Sequence, residues 1–129
     1  MPSTLMPTPD VPHPDLAASL PLLQQMLEEQ RQFRLTQLAE LAVEADSLVR
    51  PVGDRGDAAA EAARREVVAA LVTAARQALD DAEAALARMR DGRYGRCQGC
   101  GGRISLERLY VVPQSGMCVD CQCRNDLFH

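Results

Sequence analysis

From about Ser19 onward, apolar residues recur at spacings of three and four: Leu20, Leu23 and Leu27, then Leu38, Leu41, Ala45 and Leu48. That rhythm lays one stripe along one side of an α-helix. Gln30, Arg31 and Arg34 interrupt it midway. Ser19 is expected to cap the helix, with Pro21 in the first turn, where a missing N–H does no harm. Pro51 pushes the residue before it out of helical space, so the helix is expected to stop near Arg50. Pro51-Val52-Gly53-Asp54-Arg55-Gly56-Asp57 then reads as a tight turn.

A second helix is predicted from Ala58, capped by Asp57 and ended by Asp91-Gly92, with Gly92 as the residue just past the helix. Its expected apolar series is Ala63, Val67, Ala70 or Leu71, Ala74, Ala78, Ala82, Ala85 and Met89. Two long helices joined by a short turn lie antiparallel, each covering the other's stripe. The fold class read from the chain is therefore mainly α: a long antiparallel two-helix coiled-coil hairpin followed by a small C-terminal domain. The expected organisation is a flexible proline-rich tail over 1–18, the hairpin over 19–91 with its tip at 51–57, and the cysteine domain over 92–129.

Composition narrows the picture. Only Phe33, Phe128, Tyr94 and Tyr110 are aromatic, and much of the apolar content is alanine, which buries little area per residue. Packed helices suit this better than a large globular core. The net charge is −4 and every cation is an arginine. A mildly acidic chain gains no counterion-release attraction for bulk nucleic acid, so direct sequence-specific DNA binding is not expected. The longest apolar stretch, around Val67 to Ala75, is too short to span a bilayer, and the N-terminus lacks a basic start and an apolar run. The expectation is a cytoplasmic protein with no membrane contact. Pro2, Pro7, Pro9, Pro12 and Pro14 mark the tail, which holds too few apolar side chains to offset its ordering entropy.

The chemistry lies in the cysteines. Cys97-Gln98-Gly99-Cys100 is followed, after seventeen residues, by Cys118-Val119-Asp120-Cys121. Two residues between paired cysteines let one turn aim both thiolates at a single tetrahedral ion, and the insert is long enough to bring back the second pair. Cys97, Cys100, Cys118 and Cys121 are thus the candidate ligands of one structural zinc ion, and the fold class is completed as mainly α, the coiled-coil hairpin with a small C-terminal four-cysteine zinc ribbon. Four thiolates close the shell and leave no place for water, so no catalysis is expected there. Gly99, Gly101 and Gly102 suit the sharp turns of such a knuckle. Two disulfides would need an exported chain, and a thioredoxin-like redox pair would need a βαβ context in place of the helical residues before Cys97. Arg93, Arg96, Arg103, Arg108 and Arg124 are expected to offset the −2 charge of a zinc tetrathiolate. His13, His129 and the fifth cysteine, Cys123, are left outside the ligand set.

The hairpin, the acidic turn and the run Tyr94-Gly95-x-Cys97-x-x-Cys100-Gly101-x-x-Ile104, Arg108-Leu109, Pro113, Cys118-x-x-Cys121-Gln122 together resemble the DksA/TraR family of bacterial transcription factors. The resemblance implies a non-enzymatic, monomeric regulator that binds RNA polymerase, the ribbon docking on the rim of the secondary channel and the hairpin tip nearing the active centre. It implies Asp54, Asp57 and Ala59 as partner-binding tip residues, because Asp54-Arg55-Gly56-Asp57-Ala58-Ala59 matches the family's Asp-x-x-Asp-x-Ala pattern. Where family members that bind guanosine tetraphosphate carry basic residues, this chain has Asp81, Val112 and Gln122, which implies weak or no dependence on that alarmone. The chain ends eight residues after Cys121, so little or no C-terminal helix of the sort that longer family members use at the docking surface is expected. Two other readings stand beside this one: a zinc-ribbon coiled-coil adaptor or dimerisation module for another protein, and a thiol redox sensor using the paired cysteines and Cys123.

Overall fold

The computed structural model describes residues 14–49 and 55–127. Two long helices dominate, α1 (Pro14–Val49) and α2 (Arg55–Arg90), followed by two short ones, α3 (Leu106–Val111) and α4 (Val119–Leu127). There is no strand among the described residues, and the expected ribbon reduces to one antiparallel bridge between Arg96 and Arg103. The chain divides into two compact units, Met1–Glu28 with Ala82–His129 and Glu29–Asp81.

α1 starts five residues before the expected Ser19 cap, so residues 14–18, assigned above to the tail, include a helical turn. A proline is tolerated as the first helical residue, and Asp15 in the first turn meets the positive end of the helix dipole. Leu16 supplies the driving force: it is buried in the core beside Gly95. Pro21 consequently sits inside the helix, beyond the first turn, where it leaves one carbonyl without its helical donor.

α2 also starts early, at Arg55, so Asp57 lies within the first turn and is not the N-cap expected of it. At the other end the sequence reading of Gly92 is met in detail. Gly92 has φ of 73°, its N–H bonds the Met89 carbonyl at 3.2 Å, and the Arg93 N–H reaches back to the Arg88 carbonyl at 2.8 Å. This pair of bonds is the Schellman closure, which satisfies carbonyls the helix leaves over.

In the first unit the core joins Leu16, Leu23 and Leu27 of α1 and Ala82 and Ala85 of α2 to Tyr94, Cys97, Ile104, Leu109 and Cys121. In the second, Leu41 and Leu48 of α1 pack with Val68 and Ala75 of α2, flanked by Leu38, Ala45 and Val72. The α1 stripe is therefore the one expected. The α2 stripe is displaced over its first half: Val68, Val72 and Ala75 face inward, while Val67 and Leu71 are 57% and 43% exposed. One step along a helix turns about 100° around its axis, so the two choices are neighbouring faces. The Arg65 guanidinium crosses to the Leu48 carbonyl at 3.0 Å and closes the end of this unit.

Candidate metal centre

The first knuckle is a closed turn. The Cys97 N–H bonds the Gly102 carbonyl at 2.7 Å, the Gly101 N–H bonds the Cys97 carbonyl at 2.9 Å, and the Ile104 N–H bonds the Gly95 carbonyl at 2.8 Å. Gly99 is required by a close approach: a Cβ there would lie 3.0 Å from the Cys121 sulfur and 3.1 Å from its Cβ. The second knuckle is carried by the start of α4. Cys118 immediately precedes that helix, its carbonyl takes the Gln122 N–H at 2.9 Å, and its sulfur takes the Cys121 N–H at 3.5 Å. A cysteine sulfur at this position does what a capping side-chain oxygen does, accepting from an N–H that the first turn of the helix leaves over.

The two knuckles meet directly. The Gln98 N–H bonds the Gly116 carbonyl at 2.8 Å, and the Cys118 N–H donates to the Cys97 sulfur at 3.3 Å, as does the Gly99 N–H. All four ligand sulfurs, on Cys97, Cys100, Cys118 and Cys121, lie within 4.8 Å of one another, with Cys100 and Cys118 4.0 Å apart. A tetrahedral ion with bonds of about 2.3 Å to sulfur needs sulfur separations of about 3.8 Å. The four cysteines are positioned to bind one metal ion.

The electrostatics call for a cation. Burial pushes the Cys97 thiol up, but the N–H groups of Cys118, Cys100 and Gly99 and the Cys121 thiol outweigh it and bring Cys97 down to about 6. Hydrogen bonds to Cys97 and Cys118, with burial added, push Cys121 up to about 12. Cys97 is therefore held as a thiolate more readily, and Cys121 less readily, than a free cysteine. A dication held by the four sulfurs would favour the ionised form of each ligand. Of the five arginines expected to balance the charge, Arg124 donates to the Cys121 sulfur at 3.4 Å. Arg93 instead pairs with Asp91 at 3.0 Å, and the Arg108 Nε bonds the Ser115 hydroxyl and the Met117 carbonyl at 3.2 and 2.9 Å.

No protein-family model matches the chain. General stress protein 16O of Bacillus subtilis (strain 168) is 43% identical over 47 residues, a stretch that spans 36% of this chain and 29% of that protein. The solved structure of transcription factor DksA2 from Pseudomonas aeruginosa matches with a TM-score of 0.75 at 29% identity, over 84% of both chains. The chain is DksA-like.

Of the tip residues, Asp54 lies outside the described residues, as does the side chain of Asp57, while Ala59 is exposed near the start of α2. The DksA-like scaffold also uses residues that the cysteine spacing did not single out. The Tyr94 hydroxyl donates to the Pro113 carbonyl at 2.7 Å and the buried Arg88 guanidinium to the Gln114 carbonyl at 3.2 Å, fixing the segment that leads into Cys118. Burial pushes the Tyr94 phenol up to about 12, against a lowering influence of Arg88. Ser105 caps α3, its hydroxyl accepting the Arg108 N–H at 3.2 Å, and α3 returns Tyr110 to α1, where its hydroxyl meets that of Ser19 at 2.7 Å. Ser105 followed by Glu107 in the first turn was a legible start signal for α3.

Proposed function

We propose that this protein is a cytoplasmic, non-enzymatic regulator that binds bacterial RNA polymerase through the secondary channel and modulates initiation as a monomer. The observation that carries the reading is the likeness to a transcription factor over 84% of both chains, joined to the four converging thiols. The ion is zinc, held by Cys97, Cys100, Cys118 and Cys121, and its role is to hold the knuckles. Tetrahedral all-thiolate sites favour zinc and leave no ligand position open for chemistry. In this reading Asp54, Asp57 and Ala59 form the tip, where two carboxylates meet basic side chains or the metal region of the polymerase and alter the motions that gate promoter complexes. No direct DNA reading is needed, in keeping with a net charge of −4.

The alarmone plays little or no part. Asp81 accepts from Gln77 at 2.9 Å, the Val112 N–H closes α3 on the Arg108 carbonyl at 2.7 Å, and the Gln122 amide is engaged by Asp126 at 3.0 Å. None of the three presents a cation to phosphate.

The test is capture of purified polymerase by the wild type and by an Asp54→Asn, Asp57→Asn double variant, followed by transcription on several promoters. Both proteins are expected to bind, with altered transcript yield for the wild type alone and no added effect of guanosine tetraphosphate. Failure of both to bind, or faster cleavage of backtracked RNA, overturns the reading.

A further inference from the structure

α2 carries two heptad seams, and α1 covers one of them. The covered seam passes through Val68, Val72 and Ala75. The other consists of Arg64, Val67, Leu71, Ala74, Ala78 and Asp81, at successive spacings of three, four, three, four and three. Val67, Leu71 and Ala74 each precede an inward residue by one position, so this seam lies about 100° around the helix from the covered one. It is open over most of its length: Arg64, Val67, Leu71 and Ala74 are exposed, and Ala78 and Asp81 half-buried. Neighbouring Arg65 is turned toward α1 by its bond to Leu48 and does not belong to this face. A helix with two such seams is shaped for two helical neighbours.

We propose that the second neighbour is α2 of another copy of this chain, packed antiparallel. The sequence of the open seam is complementary to its own reverse. In the register that sets Leu71 against the other copy's Ala74, Val67 meets Ala78 and Arg64 meets Asp81, and two-fold symmetry repeats each pair. Large residues face small ones in the middle, and both ends close with opposite charges. Sliding by one heptad sets Leu71 against Asp81 or Arg64 against Ala74, and a parallel pair sets Arg64 against Arg64 and Asp81 against Asp81. The charges therefore select one register and one direction. The Asp81 carboxylate is already oriented by the Gln77 amide at 2.9 Å.

A contact confined to 18 residues of one helix runs for about 27 Å, which places the dimer at the small, reversible end of specific interfaces, below about 1,200 Å². The dimer is accordingly a concentrated-solution state that covers the open face of α2, and dilution releases the monomer. The inference concerns the chain alone, and in the polymerase reading the dissociated monomer is the form that acts.

Sedimentation equilibrium of the full metal-loaded chain over a range of concentrations tests it. The mass is expected to rise from 14.1 kDa toward twice that value as concentration increases. Leu71→Glu, at an exposed site, is expected to hold the mass at the monomer value with an unchanged helical circular dichroism spectrum. Arg64→Asp is expected to weaken association, and adding Asp81→Arg to restore it. A constant monomer mass at every concentration overturns the proposal, as does a dimer that survives Leu71→Glu. Failure of the charge swap to restore association overturns the antiparallel register.

Discussion

The unit that holds the cysteines and the unit Glu29–Asp81 are built from the same two helices by different means. The first is held from several directions at once: Leu23, Leu27 and Leu109 are fully buried, Tyr94 and Arg88 bond carbonyls 19 and 26 residues away, and four thiols converge. The second relies on Leu41, Leu48, Val68 and Ala75, with the Arg65 bond to Leu48 at one end. Its alanines add helix propensity and little buried area. Order in the first unit comes from contacts distant in sequence, and order in the second mostly from each helix's own ladder.

The largest effect should therefore come from breaking the metal centre. Cys97→Ser, or chelation of the native chain, is expected to abolish stoichiometric metal binding and to expose residues 92–127 to protease before 29–81. Structural zinc contributes on the order of 10 kcal/mol of apparent binding free energy at neutral pH, far more than a single packing contact. Equal protection of both units after chelation would falsify the contrast.

Leucine truncation comes next. Leu27→Ala and Leu41→Ala each remove a buried side chain, at about 2–5 kcal/mol. Chemical denaturation is expected to show the larger loss for Leu27→Ala, because its surroundings are fixed by the knuckles and cannot close over the space. Gly95→Ala is smaller, about 1–3 kcal/mol: φ there is 86°, and the new Cβ would lie 2.6 Å from a Leu16 methyl that must move aside. Melting temperatures should rank it well below Gly101→Ala, where φ is 76° and the space is open.

The smallest effect is at high pH. The Tyr94 phenol titrates near 10 when unfolded and is pushed up to about 12 in the fold, so the folded state holds its proton more tightly. Its contribution is complete below pH 10 and fades as pH rises through about 12. Tyr94→Phe is expected to flatten that alkaline fall in stability, while losing the Pro113 bond at every pH.

What the sequence disclosed follows the same division. The α1 stripe was readable because leucine is scarce off it, and the knuckles because C-x-x-C spacing has few other uses. The α2 face was misplaced by one position because Val67-Val68 and Leu71-Val72 offer two equal phases, and the alanines around them do not discriminate. The start of α1 was hidden by prolines: Leu16 becomes a core residue through Gly95, which lies 79 positions away, and local pattern holds no trace of that contact. α4 escaped notice for a related reason. The Cys118 sulfur caps a nine-residue helix that starts within the second C-x-x-C, where the spacing was read for its ligands alone.

The uneven burial of the four sulfurs gives the centre a front and a back. Cys100 is exposed and Cys118 partly so, whereas Cys97 and Cys121 are buried. A competing thiol or chelator approaching from solvent would therefore meet the Cys100 side chain before the others. Cys97 and Cys121 would hold a bound ion from the buried side, the Cys97 sulfur kept in place by the Gly99 and Cys118 N–H groups. An ion at this centre would thus be open to exchange from one side, while the buried pair would keep its shape for the ion's return.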